Sequence, residues 1–448
     1  MNALLTDLYQ ITMAAGYFAA GKTGETATFE LFVRRLPHNR NFLIAAGLQQ
    51  AVEYLLGFHF TREEIGYLQC LPQLAGAGPA FFEYLAGLRF TGDVFAMPEG
   101  TPVFAGEPIL TVRAPLVVAQ IVETYLTSTI AFQTLIATKA ARIVEIAGGR
   151  GVVEFGTRRA HTPEAGVLAG RAAYIGGCTG TSNALTGFRF GIPVFGTAAH
   201  SWVQAFPTER EAYRRLQELL GEHTVYLIDT YDTLEGARIA ASLGRPMWGV
   251  RIDSGNLVEV SRAVRRILDA SGFEDARIMG TSDLNEYKIS ELMAAKAPID
   301  AFGVGTDLAT SRDVPNLGAI YKLVELASPS ERRYTAKYSE GKHTLPGAKQ
   351  VFRYAGHDVV GCSWECPSCA PGAPAVEALL RPVILGGRLA APLPSAQAAR
   401  ARAIESVSRL PGALRSLFDA REPWSVQYSE ELVSLSDRVR KSQTGESS

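Results

Sequence analysis

The chain has 448 residues, of which 47% are hydrophobic and 20% charged, with 44 Lys and Arg against 45 Asp and Glu for a net charge of −1. A single hydrophobic core stops growing at roughly 250 to 300 residues, so two domains are expected. The balance excludes a disordered chain and a protein that coats nucleic acid, and no apolar run approaches the roughly 18 residues of a membrane span.

The amino-terminal stretch Met1-Asn2-Ala3-Leu4-Leu5-Thr6-Asp7 has no basic leader, so a cytoplasmic location is expected. Leu5 to Ala19 has the apolar spacing of a helix that stops at Gly21, and Thr26 to Val33 alternates like a half-buried strand. Between them Gly16-Tyr17-Phe18-Ala19-Ala20-Gly21-Lys22-Thr23 spells GxxxxGKT. That pattern cradles phosphate only where a strand precedes the loop and a helix follows it. Here a helix leads in, Gly21 caps it and a strand follows, so the match is read as a helix end and not as a nucleotide site. Helical patterns continue at Ala46 to Leu56, Arg62 to Leu71 and Ala80 to Leu88, with strand patterns at Val94 to Met97 and Ile109 to Arg113. Residues 1–114 thus read as an α+β region.

Pro115 opens a long helical run to about Ala147, after which short strands alternate with helices. The strand patterns are Val152 to Phe155, Ala173 to Ile175, Ile192 to Phe195, Val225 to Ile228, Met247 to Ile252, Arg277 to Met279, Ile299 to Val304 and Tyr321 to Leu326; Thr208 to Leu220 and Leu257 to Ala270 are among the helices. This rhythm predicts an α/β fold, a βα barrel over 115–330. Beyond 330 it fades into mixed β and proline-rich sequence. Segment 331–448 is expected to return and pack with 1–114, ending in a mobile polar tail from Arg438 to Ser448.

Polar and glycine residues gather where seven of these strands end. The clusters are Glu154 to Arg159, Gly176 to Asn183, Gly196 to Trp202, Asp229 to Asp232, Arg251 to Gly255, Gly280 to Asp283 and Gly303 to Asp307. Such clustering at carboxyl ends places an active site on that face of a barrel. Glycines admit close approach of backbone amides to an anion, and following helix amino termini favour phosphate, so a phosphorylated sugar suits the site. Arg158, Arg159 and Arg251 suit a phosphate or carboxylate, while Asp253 and Asp283 suit sugar hydroxyls or a hydrated magnesium. His200, with Asp229 at the next strand end to orient its ring, is the candidate nucleophile or general base.

Five cysteines, two of them isolated at Cys70 and Cys178, fit a reducing compartment. Cys362, Cys366 and Cys369 form CxxxCxxC with His357 upstream, a set that could hold zinc. A structural site normally recruits a second CxxC pair, so a surface loop around Pro367, Pro371 and Pro374 is expected and no metal is assigned there.

The blocks Leu5-Thr6-Asp7-Leu8-Tyr9-Gln10, Phe29 to Pro37, Glu154 to Arg159, Gly180 to Asn183, Gly196 to Trp202, Asp253-Ser254-Gly255 and Ser339 to Lys342 closely resemble nicotinate phosphoribosyltransferase over most of the chain. The resemblance implies an irregular barrel beside an α+β domain built from both chain ends, usually a homodimer with the substrate site between subunits. It implies that nicotinate and phosphoribosyl pyrophosphate give nicotinate mononucleotide and pyrophosphate, with Mg2+ and with ATP hydrolysis as a coupled reaction. By position, His200 matches the histidine phosphorylated by ATP, with Asp229 as its neighbouring carboxylate. Phe155 and Arg158 match the residues that stack on the pyridine and pair with its carboxylate, and Tyr9 is expected from the other subunit. Arg251 and Asp253 resemble ribose and phosphate contacts. Gly280, Thr281, Ser282, Gly303, Gly305 and Thr306 resemble the loops that hold the 5′-phosphate.

Substrate choice follows from charge. Nicotinamide-using relatives carry an aspartate near the position of Ser182, which would repel a carboxylate, whereas Thr181 and Ser182 can donate to one beside Arg158. Nicotinate is therefore expected over nicotinamide, and quinolinate, with two carboxylates, should need more basic residues. A catalytically silent protein that senses a pyridine nucleotide is the reading from another class. Two departures from the family pattern stand out: Cys178-Thr179 replaces an aromatic and an acidic residue, and the Cys362 to Cys369 loop has no counterpart in most members.

Overall fold

A computed structural model describes residues 3–367 and 376–444. The chain groups into two units, one of residues 1–134, 316–394 and 410–448, the other of 135–315 and 395–409. The expected division differs in three places: 115–134 and 316–330 group with the terminal unit, and helix Ala396–Ser408 groups with the barrel unit. That helix is held by Arg400, which donates to the carbonyls of Cys178 at 2.8 Å and Gly177 at 3.0 Å and lies over the Tyr174 ring. The helical run after Pro115 is two helices, Leu116–Ile121 and Glu123–Ile146.

The terminal unit is built on a seven-stranded sheet in the order Arg332–Tyr334, Ala319–Ala327, Thr26–Val33, Pro108–Pro115, Asp93–Ala96, Arg381–Leu385 and Arg388–Leu389. Strands from the two ends of the sequence interleave here, which gives this unit one shared core. Tyr321 to Leu326, expected as an eighth barrel strand, instead runs antiparallel to Thr26–Val33, and Tyr321 stacks on Phe29 with centroids 4.7 Å apart. A short apolar run does not reveal which strand it will pair with. A second sheet orders Glu377–Ala378, Lys349–Arg353, His357–Cys362 and Ser425–Tyr428. Helix Glu430–Thr444 buries Leu432, Leu435 and Val439, so Arg438 to Thr444, expected as a mobile tail, is helical because its apolar residues recur on one face.

The GxxxxGKT stretch closes helix Leu8–Ala19: Gly21 sits at φ +69°, its N–H meets the Phe18 carbonyl, and strand Thr26–Val33 follows one 3-10 turn. In the cysteine-rich segment Cys362 is a buried free thiol and Cys366 is in a disulfide, while Cys369, Pro371 and Pro374 lie outside the described residues. Among the described residues no cluster of three or more His, Cys, Asp or Glu is placed to hold a metal, and no helix is long and apolar enough to cross a membrane.

The other unit is a parallel sheet in the order Gly180–Thr181, Gly151–Glu154, Ala301–Val304, Arg277–Gly280, Gly249–Ile252 and Val225–Leu227, with Val194 bridged to Thr181. Its strands are short and buried, with Val152, Val250, Ile252, Ile278 and Phe302 almost fully covered. Helices such as Leu257–Ala270, capped by Asn256, bury one stripe at Leu257, Val264 and Leu268. Two expected strands differ. Ala173 to Ile175 ends helix Pro163–Ile175, which Thr162 caps and Pro163 begins, and Ile192 to Phe195 contributes only the bridge at Val194. Both are short apolar runs whose helix or strand character periodicity alone does not settle.

Candidate active site

Four of the parallel strands end around one cavity of about 210 Å³, to which they bring Phe155, Arg158 and Arg159, then Arg251 and Asp253, then Thr281 to Asp283, and last Gly303, Gly305 and Thr306. Widely separated polar clusters therefore converge, as expected for the carboxyl-end face of a barrel.

Arg251 is the most constrained of the cations. Its guanidinium donates to Thr281 Oγ1 at 3.1 Å and Thr197 Oγ1 at 2.9 Å, pairs with Asp253 Oδ2 at 3.0 Å, and lies 5.8 Å from the Phe155 ring centre. Asp253 is fixed in turn, because Thr281 donates its hydroxyl to Oδ1 and the Asp253 backbone N–H donates to Asp229 Oδ2 at 3.0 Å. Arg158 and Arg159 contrast with this. They sit on the 3-10 turn Thr157–Arg159, are exposed, and their side chains have no hydrogen bond or ion pair among the described residues.

Two glycines set the shape. A Cβ on Gly303 would lie 2.6 Å from Phe155 Cδ2 and 2.7 Å from the Thr281 methyl, so the ring of Phe155 lies directly on bare backbone. At Gly156 a Cβ would lie 2.7 Å from the Gly305 carbonyl. Ser282 and Asp283 adopt φ of +89° and +45°, a left-handed conformation that costs non-glycine residues of order 1–3 kcal/mol and gathers at functional sites.

His200 opens helix His200–Gln204; its Nδ1 is 3.1 Å from Thr230 Oγ1 and its Nε2 3.9 Å from Asp253 Oδ2. Asp229 does not orient this ring as expected. Its Oδ2 instead accepts the Asp253 N–H and, at 2.5 Å, the Ser254 hydroxyl, while Oδ1 is buried without a partner. Past the end of the strand at Leu227 the two side chains part: Thr230 reaches the imidazole and Asp229 the neighbouring loop.

Two further expected ligands serve the scaffold. Thr181 is fully buried and donates its hydroxyl to Glu154 Oε2 at 2.6 Å, which removes it from contact with a substrate carboxylate. Gly280 does not line the cavity; it packs against Ile299 at the end of its buried strand. Ser182 is half-buried, and its backbone N–H donates to the Glu154 carbonyl at 2.9 Å. Tyr9 belongs to the terminal unit, half exposed on helix Leu8–Ala19.

Sequence reasoning assigned no role to Glu154, Thr197 or Thr230. Glu154 is the instructive case: a carboxylate at 0% exposure that accepts the Gly156 N–H and the Thr181 hydroxyl, with burial raising its pKa. An acid closing an apolar strand immediately before Phe155-Gly156 was the signal available.

Fold and site together define an α/β barrel enzyme whose mouth, lined by arginines, carboxylates and hydroxyls, suits anionic, phosphate-bearing substrates. Residues 4–131 match the nicotinate phosphoribosyltransferase N-terminal domain, and residues 136–314 match the quinolinate phosphoribosyl transferase C-terminal domain. The chain is 42% identical over 458 aligned residues to a nicotinate phosphoribosyltransferase of Mycobacterium tuberculosis, covering 100% of this chain and 96% of that protein. It is 46% identical over 360 residues to that of Bacillus subtilis, covering 78% and 73%. The crystal structure of human nicotinic acid phosphoribosyltransferase superposes with a TM-score of 0.83 at 30% identity, covering 97% of this chain and 99% of that one. The chain belongs to the nicotinate phosphoribosyltransferase family.

Proposed function

We propose that this enzyme transfers the phosphoribosyl group of phosphoribosyl pyrophosphate to the ring nitrogen of nicotinate, releasing pyrophosphate, with ATP hydrolysis coupled through a phosphorylated His200. The observation that carries the reading is the convergence of a rigidly held Arg251–Asp253 pair, two unpaired arginines and His200 on one set of strand ends. It is the family's reaction, and each charge has a task in it.

Nicotinate stacks on Phe155, with Arg158 answering its carboxylate and Ser182 able to donate beside it. The sugar phosphate lies along Thr281, Ser282, Gly303, Gly305 and Thr306, where bare backbone admits oxygen atoms closely. Arg251 and Asp253 face the ribose. As the bond to pyrophosphate breaks, the ribose becomes oxocarbenium-like, and the fixed carboxylate of Asp253 is oriented to stabilise positive charge without reorganising. Asp283, whose carboxylate has no partner among the described residues, and Asp253 suit a hydrated magnesium, which normally takes one or two carboxylates plus substrate phosphates. When bound, that ion neutralises charge on the departing pyrophosphate. Thr230 engages His200 Nδ1, which leaves Nε2 as the nitrogen for phosphoryl transfer from ATP, ADP being the leaving group.

A homodimer in which Tyr9 completes the partner's site, and a cytoplasmic location, belong to the same proposal and rest on family resemblance. The deciding experiment measures nicotinate mononucleotide from nicotinate, phosphoribosyl pyrophosphate and magnesium, with and without ATP, and with nicotinamide as competitor. Absence of product under every condition would refute the assignment, and a preference for the amide would reverse the reading of Ser182.

A further inference from the structure

The terminal unit holds a second cavity, of about 260 Å³, between its two sheets. Register explains its lining. Thr28 pairs with Arg113, Glu30 with Thr111 and Thr111 with Phe95, so these side chains share one face of the seven-stranded sheet. Strand Lys349–Arg353 covers that face, and Leu380 and Pro382 border it.

The polar groups of this cavity are unevenly satisfied. Lys349 has no donor left: its ammonium reaches Glu30 at 2.7 Å and the carbonyls of Leu345 and Gly347 at 2.9 and 2.8 Å. Gln350 is partly spent, donating to the Leu380 carbonyl and accepting the Leu380 and Val351 N–H groups. Thr111, at 4% exposure, has a buried hydroxyl with no partner. The Arg113 guanidinium at the rim has no hydrogen bond or ion pair among the described residues, and neither does the Ser363 hydroxyl. The two buried acids nearby are answered, Glu30 by Lys349 at 2.7 Å and Glu325 by Arg332 at 3.7 Å. What remains is an excess of donors and the Arg113 guanidinium, which forms no ion pair although Asp93 lies opposite it in register, accepting the Gly386 N–H instead, beside the apolar surfaces of Phe95, Leu380 and Pro382.

We propose that this cavity binds a small monocarboxylic acid with a single ring or compact aliphatic body, its carboxylate on Arg113 and Thr111 and its apolar part on Phe95, Leu380 and Pro382. One free cation matches one negative charge. The apolar lining disfavours a hydrated dianion such as phosphate, and the volume lies just below the roughly 300 to 1,000 Å³ of sites for drug-sized ligands. An unpartnered buried hydroxyl is destabilising by itself, so a ligand that accepts from Thr111 recovers that loss.

The test is calorimetric titration of the full-length protein with sodium benzoate, in wild type and in the Arg158→Ala variant, which weakens any binding of the same acid at the barrel mouth. An Arg113-dependent binding event should persist in Arg158→Ala. Arg113→Met, which alters an exposed side chain and leaves the core intact, should weaken that event about tenfold or more, and Thr111→Val a few-fold, as expected for one charged and one neutral hydrogen bond. Benzamide should bind more weakly than benzoate by the same order as the Arg113→Met loss. Benzoate binding unchanged by both variants, binding lost in Arg158→Ala alone, or no heat at all would overturn the proposal. Arg113-dependent binding of inorganic phosphate as tight as that of benzoate would overturn the ligand class. None of these results depends on whether the barrel acts on nicotinate.

Discussion

Gly303→Ala is the smallest change that tests whether Phe155 is the platform for the pyridine ring. A methyl at Gly303 would stand 2.6 and 2.7 Å from Phe155 Cδ2 and Cε2 and 2.7 Å from the Thr281 methyl. Carbon atoms rest at roughly 3.5 to 4.0 Å, so the ring must retreat by about 1 Å. Its lower side is closed by Val153, Met279 and Ala301, against which it packs. The ring must therefore move toward the cavity or slide under Arg251, which lies 5.8 Å from its centre. Either shift intrudes on the space where the substrate stacks. A misplacement of about 1 Å is worth on the order of a hundredfold in rate in favourable cases, so kcat/KM for nicotinate should fall about 10- to 100-fold, or roughly 1.4 to 2.7 kcal/mol. The crowding itself should cost about 1 to 3 kcal/mol of stability, read as a lower Tm. Gly66→Ala, in a helix with nothing within 4 Å of the new methyl, is the control for an added Cβ. Steady-state kinetics with nicotinate as the varied substrate decide the matter: a Gly303→Ala enzyme with kcat/KM within twofold of wild type would show that Phe155 does not support the ring.

Three further perturbations separate the other parts of the site. His200→Ala should remove the ATP-stimulated fraction of nicotinate mononucleotide synthesis and all ATP-derived phosphate on the protein, measured with γ-labelled ATP, while leaving slower ATP-independent turnover; retained labelling would exclude His200 as the acceptor. Glu154→Gln should cost about 1 to 3 kcal/mol at low pH, because one amide hydrogen now faces the N–H or hydroxyl that the acid accepted. Its pH dependence has a definite sign: burial raises the Glu154 pKa in the folded state, so its favourable term is complete below the unfolded carboxylate value of about 4.3 and is lost as pH rises through the raised folded value. The gap in Tm between wild type and Glu154→Gln should narrow over that rise, and a pH-independent gap would contradict it. Lys139→Met removes a buried ammonium that reaches Glu286 at 2.6 Å and Asp313 at 2.8 Å. Arg142, 3.1 Å from Glu286, keeps that carboxylate partly paired, so a loss near the lower end of the about 3 to 5 kcal/mol for a broken buried pair is expected in denaturant titration.

Much of this was legible in the sequence, and the failures share physical causes. The convergence of Phe155, Arg251, Asp253, Thr281 and Thr306 could be read because a parallel βα rhythm sends every strand end to the same face. The GxxxxGKT stretch could be discounted because the order of elements around a loop decides what its amides face, and Gly21 does close a helix. Tyr321 and Ala173 were misplaced because short, mostly apolar runs, six residues and three, carry no information about their partners. Thr181 and Asp229 show a subtler limit. Sequence shows that a hydroxyl or carboxylate lies at a strand end, but one residue of register decides whether it faces the cavity or the scaffold beneath it, and Glu154 had already claimed the hydroxyl of Thr181.

The contrast between the arginines gives the site its division of labour. Ordering a long flexible side chain costs up to about 2 kcal/mol of rotamer entropy. Arg251 has met that cost on folding through Thr281, Thr197 and Asp253. It stands in one orientation before any ligand arrives, which is what a group answering charge that develops late in a reaction requires. The Arg158 and Arg159 side chains have no such partners, so any contact they made with an anionic substrate would be diminished by that entropy and would serve capture more than rate. Asp253 belongs with the rigid set: it is fixed on one side by Thr281 and through its backbone by Asp229, and it turns the oxygen that Arg251 holds toward His200. The imidazole and this carboxylate stand 3.9 Å apart, beyond hydrogen-bond length but within Coulombic reach, so if Asp253 faces the ribose as proposed, charge placed on His200 is felt there. A phosphorylated ring and a free one would act on Asp253 differently, which under the proposed reaction would couple ATP use to ribose chemistry through these contacts.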